Sequence, residues 1–404
     1  MSDYNVGGVL LERPFKIRRL GHFGVNLNRM SEGLHFYRDL LGFEIMDVRE
    51  HASEGTAPLP DLLRTFGDLN GYFMRFAGDH HALVLYNHRL RMAMGRTTKP
   101  DVTITQITWQ VGSLAEVAGA EAWFRERGLP VVRSGRDMPG SNWHVYLRDP
   151  EEHQNELFYG MEQIGWDGHA KPLTMHDREF GRLPALPQRS ERAEIDEALA
   201  KGIDLLGGYR DATSLPETYD VQGILLGRPF KIVKHGPVNL FVHDLEKMEA
   251  WYRDVLGFAL TEEVTYRGHR CVFLRNNTEH HSLALFPAAL RKALDLRAGT
   301  TLMAFGLQLA NYQQLRDAIA FLRAHGVTLR ELPSELTPGM DHTVLAFDPD
   351  GHAIQLYWSM EQVGWDGKPR PAAERRAVVP GAWPEALPAN SDSFTGEPLL
   401  GPWG

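Results

Sequence analysis

The chain repeats itself. "VGGVLLERPFKI" from Val6 returns as "VQGILLGRPFKI" from Val221. At the same spacing, "GLHFYRDLLGF" from Gly33 meets "MEAWYRDVLGF" from Met248. Further on, "DHHALVLY" from Asp79 matches "EHHSLALF" from Glu279, and "DPEEHQNELFYGMEQIGWDG" from Asp149 matches "DPDGHAIQLYWSMEQVGWDG" from Asp348. A repeat of this length constrains the architecture before any secondary structure is read, because two copies of one sequence make two copies of one fold.

Each copy divides again. In the first, "GHFGVNLNRM" reads as a strand and "SEGLHFYRDLLGF" as a helix stopped near Gly42; "FEIMDV", "YFMRF" and "HALVLY" read as strands. The order then recurs as the strand "TITQITWQV", the helix "SLAEVAGAEAWFRERG" ending at Gly128, and the strands "LPVVR", "WHVYLRD" and "NELFYG". The second copy repeats the pair. The expected fold class is α+β, with four βαβββ modules in two tandem domains. The boundaries read as residues 1–170 and 221–370 for the domains, and 171–220 for a linker in which "ERAEIDEALAKGIDLL" reads as a helix. Residues 371–404 form a Pro-rich tail expected to wrap the surface without a core of its own.

Composition limits the partners. The formal net charge of -9 and the lack of a basic run argue against nucleic acid. No apolar stretch approaches a membrane span, and no signal-peptide pattern opens the chain. Cys271 is the only cysteine and reads as a small strand residue, so a reducing, cytoplasmic setting is expected. Dinucleotide-binding, P-loop, HExxH and CxxC patterns do not occur.

A strand sends alternate side chains to opposite faces. One face of the first strand carries His22, Gly24, Asn26 and Asn28, and the other Phe23, Val25 and Leu27. The second module places Gln106, Thr108 and Gln110 against Ile107, Trp109 and Val111, and its closing strand places Glu156 and Phe158 against Leu157 and Tyr159. Paired modules of this kind close into a cup, with polar faces lining it and apolar faces packing on helices. The duplicate serves as an internal control. The gap-free alignment sets Pro237 at the His22 position, and the alternative that rescues His235 needs a deletion and a compensating insertion. Pairing Gly128 with Gly326 sets Ala304 at Gln106, and the "DP" motifs set Leu345 at Tyr146 and Gln355 at Glu156. The second half thus loses His22, Gln106, Tyr146 and Glu156 while "DP", "MEQ" and "GWDG" remain. What both halves share reads as framework; what differs reads as chemistry, placed in the first half.

Paired βαβββ modules with a His on an opening strand and a "DP…EL" closing strand resemble the vicinal oxygen chelate superfamily. Four modules in one chain, with "DHHALVLY" and "EHHSLALF", look most like its type I extradiol, catechol ring-cleaving dioxygenases. The resemblance implies a metal site of His22, Gln106 and Glu156, with His81 assisting substrate or oxygen and Tyr146 hydrogen-bonding the substrate. His144, two residues before Tyr146 on the same face, is a further candidate; its counterpart is Thr343. The implied cofactor is a divalent metal, Fe(II) first, with Mn, Zn or Ni as alternatives. The implied partners are a small aromatic substrate and O2, and a homo-oligomer is expected. Two features depart from the extradiol pattern: the site lies in the N-terminal half, and Gln106 stands where that family has its second His. Gln occurs as a ligand at this position in glyoxalase-like relatives. A non-oxidative isomerase, lyase or hydrolase using the metal as Lewis acid, and a binding protein for small aromatics, therefore stay open as alternatives. His35, His51, His88, His153, His169 and His176 read as surface or loop residues, and the insertion from about His51 to Asn70 as a lid.

Overall fold

The computed structural model describes residues 3–50, 65–97, 99–136, 139–165, 167–175, 182–187, 189–211, 215–363, 366–376 and 378–387. Most of the insertion read as a lid, with His51, lies outside the described residues, as does His176. The first half opens with a hairpin of β1 (Tyr4–Val6) and β2 (Val9–Leu11), which the sequence reading did not anticipate. It continues with β3 (Arg19–Leu27), β4 (Glu44–Arg49), β5 (Gly71–Arg75), β6 (Leu83–Asn87), β7 (Ile104–Gln110), β8 (Val131–Arg136), β9 (Trp143–Arg148) and β10 (Gln154–Tyr159). The last eight strands form one mixed sheet in the order β4-β5-β6-β3-β7-β10-β9-β8. The second half repeats this with the hairpin β11 (Tyr219–Val221) and β12 (Ile224–Leu226), then β13 (Ile232–Val242), β14 (Ala259–Tyr266), β15 (His269–Arg275), β16 (Leu283–Pro287), β17 (Leu302–Leu309), β18 (Leu329–Arg330), β19 (Thr343–Phe347) and β20 (Ala353–Tyr357). Its sheet order is β14-β15-β16-β13-β17-β20-β19-β18. The fold is the expected α+β arrangement of four βαβββ modules.

The helices follow their sequence signals. α1 (Met30–Leu34) widens into a π-helical turn over His35–Leu40 and stops before Gly42, whose φ of 93° a side chain would strain. A short α2 (His88–Ala93) follows β6. α3 (Leu114–Glu126) starts where Ser113 accepts from Glu116 N. The linker carries α4 (Glu191–Ala200), and the second half holds α5 (Leu245–Asp254), α6 (Leu290–Ala293) and α7 (Tyr312–Ala324). Among the described residues no helix is long and apolar enough to cross a membrane. The described part of the tail lies along the second half, where Trp383 Nε1 donates to Glu331 and Arg375 binds Glu262.

The apolar faces do more than pack on helices. Phe23 and Phe305 stack with ring centroids 4.4 Å apart, and Trp109 meets Phe258 at 4.9 Å. One continuous core therefore runs through both halves. Polar contacts are exchanged across it in matched pairs. Asp149 accepts from His153 Nδ1 at 2.8 Å and from the Tyr252 hydroxyl at 3.0 Å, while His153 Nε2 reaches Thr301 at 2.9 Å. In return, Asp348 accepts from His352 Nδ1 and the Tyr37 hydroxyl, both at 3.0 Å, and His352 Nε2 reaches Thr103 at 3.0 Å. The "DP…H" motif is thus a clamp between halves. His153, read from sequence as a surface or loop residue, is fully buried in it. Helix starts are exchanged as well. Asp350 accepts from Asn28 N and Arg29 N before α1, and Glu151 accepts from His243 N and Asp244 N before α5.

Burial lowers the affinity of His153 for a proton, but the Asp149 charge and hydrogen bond, with Glu151, outweigh it and hold the imidazole above its ordinary value. A group raised on folding stabilises fully below its unfolded pKa of about 6.5 and loses that contribution as pH rises through the folded value. The melting temperature is therefore expected to fall on raising the pH from below 6.5 through the folded pKa, with a shallower slope in His153→Gln, as read by calorimetry across a pH series. Phe23→Ala should cost about 3–5 kcal/mol in chemical denaturation, because it empties the stacked contact between halves.

Candidate metal centre

Register places the site. β3 and β7 run antiparallel, with Gly24 opposite Gln106 and His22 opposite Thr108. β10 lies parallel to β7 with Glu156 beside Thr108, and antiparallel to β9 with Glu156 opposite Tyr146. His22, Gln106 and Glu156 consequently point into one cup. The Gln106 amide nitrogen lies 2.7 Å from His22 Nε2 and 3.2 Å from Glu156 Oε2, and His22 Nε2 lies 3.3 Å from that same carboxylate oxygen. His22 and Glu156 are almost completely buried.

Two supports hold the carboxylate, one from Asn142, which the sequence reading missed, and one from Thr108, which it placed on the polar face without a role. Asn142 Nδ2 donates to Glu156 Oε1 at 2.7 Å, and the Thr108 hydroxyl donates to Oε2 at 3.1 Å. Asn142 sits in the turn before β9, and its counterpart is Asp341; that exchange is the signal that could have singled it out. The His22 ring is held between His81, at 4.4 Å, and Phe158, at 5.4 Å. Its Nδ1 is buried without a hydrogen-bond partner.

His81 is wired from behind. Asp47 lies 2.9 Å from His80 Nε2, and His80 Nδ1 lies 3.0 Å from His81 Nδ1. Asp47 can only accept, so His80 carries its proton on Nε2 and accepts at Nδ1 from His81. That leaves the His81 Nε2 lone pair free of the relay. Burial pushes His81 well below the ordinary histidine value, so it is neutral at pH 7. Glu262, His280 and His281 repeat this relay in the second half at 2.9 and 3.0 Å, which marks the "HH" pair as framework. In the first half it abuts His22. Tyr146 is buried across from Glu156, with the Arg133 guanidinium 4.4 Å above its ring. His144 is also buried, its ring 4.7 Å from Tyr146.

The second half keeps the frame and fills the cup. Asn239 faces Ala304 as Gly24 faces Gln106, and Gln355 faces Leu345 as Glu156 faces Tyr146. Val238 lies beside Leu283 as Phe23 lies beside Leu83, so Pro237 occupies the His22 position and the gap-free alignment is correct. Gln355 accepts from Asn239, and Phe241, Met303, Ala304 and Leu345 join an apolar cluster where the first half has Asn26, Thr105, Gln106 and Tyr146. "MEQ" is framework too: His80 N donates to Glu162 O and His280 N to Glu361 O.

No group of three or more His, Cys, Asp and Glu side chains suited to a metal occurs among the described residues. The first-half cluster is instead one imidazole, one carboxylate and one amide. This donor set fits a divalent ion. Turning the Gln106 amide over presents its oxygen to the point shared by His22 Nε2 and Glu156 Oε2, and an amide's O and N are interchangeable in shape. The set stops at three. The local twofold between β3 and β7 exchanges His22 with Gln106 and Gly24 with Thr108. The mate of Glu156, beside Gly24, is therefore Val84, which has no donor.

The model of the Glyoxalase/Bleomycin resistance protein/Dioxygenase superfamily matches residues 19–157 and 234–356, and the chain belongs to that superfamily. A curated relative, "Glyoxalase 1" of Caenorhabditis briggsae, is 32% identical over 136 residues, 32% of this chain. The match covers 46% of that relative, so the chain spans about half its length. Among solved structures, the 2,3-dioxygenase LapB from Pseudomonas sp. KL28 has a TM-score of 0.54 at 16% identity, covering 88% of this chain and 97% of that one. The Mn(II)-bound glyoxalase from Novosphingobium aromaticivorans has a TM-score of 0.52 at 15% identity, with 87% and 85% covered. At such identities the structural likeness concerns the fold.

Asn142→Ala should weaken divalent-metal binding about 10- to 100-fold without unfolding the chain, since it removes the donor that orients Glu156. Competition against a chromophoric chelator measures this, with Glu156→Ala as the variant expected to lose stoichiometric binding.

Proposed function

We propose that the first half is a metal-dependent dioxygenase of the extradiol type, acting on a catechol-like aromatic with O2. The observation that carries this reading is the three-donor set. With Val84 at the fourth position, His22, Gln106 and Glu156 would hold one divalent ion and leave positions for two substrate oxygens and O2. Fe(II), when bound, would supply the Lewis acidity and electron transfer that ring cleavage needs.

The remaining work falls to the protein. Neutral His81, its tautomer set by His80 and Asp47, accepts a proton from a substrate hydroxyl beside His22. Tyr146 offers a hydroxyl to a substrate oxygen from across β9, with His144 next to it. Phe158 and Phe73 wall the site, Phe73 lying 5.1 Å from His81, and keep water from the reacting atoms. The buried carboxylate of Glu156 is fixed by Asn142 and Thr108, so it does not reorganise as charge shifts. A second reading, a non-oxidative isomerase or lyase, is favoured by the neutral amide of Gln106, a hard donor suited to Lewis-acid chemistry without redox change.

The test is metal content and oxygen uptake of protein purified without oxygen and reconstituted with Fe(II). About one iron per chain, lost in Glu156→Ala, with oxygen consumed on adding catechols, is the expected result. His81→Gln should keep its metal and lose roughly 10²- to 10⁴-fold in kcat. Metal binding with no oxygen uptake across a catechol panel would shift the assignment to the Lewis-acid reading. Failure to bind metal would leave a binding protein.

A further inference from the structure

A cavity lies between the two halves, apart from the donor set. β13 supplies Val233, His235 and Pro237 to it, and the first half supplies Leu20 and Phe76. Its enclosed part measures about 50 Å³, several times what one water needs, and the space reaches about 590 Å³ with its open mouth. His22, Gln106 and Glu156 do not line it. The halves meet here around matched charges. Arg19 binds Asp79 at 2.6 Å on one side, and Lys234 binds Glu279 at 2.8 Å on the other. Arg19 faces Gln110 in register as Lys234 faces Gln308, so the two ion pairs are equivalents. Each charge is met by its partner, so the rim favours an uncharged guest.

The next residue along breaks the match. The first half has Leu20 where the second has His235. His235 is 5% exposed, and among the described residues its Nε2 has no hydrogen-bond partner. Its ring stands edge-on to Phe76, with centroids 5.5 Å apart. Burial, ahead of the Arg19 charge, brings it down to about 3, so the imidazole is neutral at pH 7. The Gly21 carbonyl hydrogen-bonds the ring. A carbonyl can only accept, so the proton lies on Nδ1 and Nε2 keeps its lone pair.

A buried acceptor without a donor is costly, and a hydroxyl entering the cavity removes that cost. We propose that this cavity binds a small uncharged phenol, hydroxyl first, with the O–H donating to His235 Nε2 and the ring in the mouth beside Phe76 and Pro237. The apolar walls of Leu20, Val233 and Phe76 suit an aromatic body, and ring-on-ring contact with Phe76 adds to its burial. The acceptor is not part of the shared framework, since its equivalent, Leu20, has none. The site does not rest on the metal chemistry proposed above.

Ligand-detected NMR titration of the full chain with phenol and with fluorobenzene measures this. Phenol is expected to bind at least about 5-fold more tightly, the order that one net hydrogen bond gives. His235→Leu places in the second half the residue that the first half already carries. It should bring phenol to the level of fluorobenzene while fluorobenzene still binds. His235→Gln, which keeps an acceptor, should retain part of the preference. Glu156→Ala, which disables the metal centre, should leave the preference intact. Equal binding of the two probes by the parent, a preference unchanged in His235→Leu, or one lost in Glu156→Ala would overturn the inference. Binding of neither probe would leave water as the occupant and overturn it as well. Should His235→Leu fail to fold, the ¹⁵N resonance of His235 Nε2 decides instead: it should move on adding phenol and stay in place on adding fluorobenzene, and no movement with phenol counts against the site.

Discussion

The antiparallel register of β3 against β7 governs what this chain can do. Gly24 opposite Gln106 lets two backbones approach closely enough for side chains from different modules to share one point; a Cβ at Gly24 would sit 2.7 Å from that of Thr105. A slip of one residue would turn His22 into the core and Phe23 into the cup, because the side-chain period is two. The register is pinned from the far side. Phe23 and Trp109 are fully buried against Phe305 and Phe258, so a slip would also expose two aromatic contacts between halves. Chemistry on one face is thus fixed by packing on the other.

The second half provides that packing. Its cup is occupied by Phe241, Phe273, Phe286 and Leu345, apolar side chains that need no counter-ion and no water. The polar residues it retained include those of the clamp, Asp348 and His352, and those of the relay behind His281. The residues that diverged at His22, Gln106, Tyr146 and Glu156 all face the cup.

Much of this was legible in the sequence. The repeat gave the four modules, alternation gave the faces, and the internal alignment correctly set Pro237, Ala304, Leu345 and Gln355 against His22, Gln106, Tyr146 and Glu156. Residues whose meaning depends on a distant partner were not legible. His153 lies in a polar stretch beside a turn, which suggests exposure, and only its contacts with Asp149 and Thr301 show why it is buried. Asn142 lies outside any strand, so alternation said nothing about it. Val84 looks like any core residue until the twofold between modules makes it the absent fourth donor. The terminal hairpins are too short to show a period.

The exchanged helix caps carry a consequence for the history of the chain. Asp350 starts α1, and Glu151 starts α5, so each half completes the other's secondary structure. After such a trade neither copy can be deleted, however little chemistry it retains. Substitutions in the filled cup are then judged by packing alone, and the first-half cup can vary its polar residues on a foundation that does not change with it.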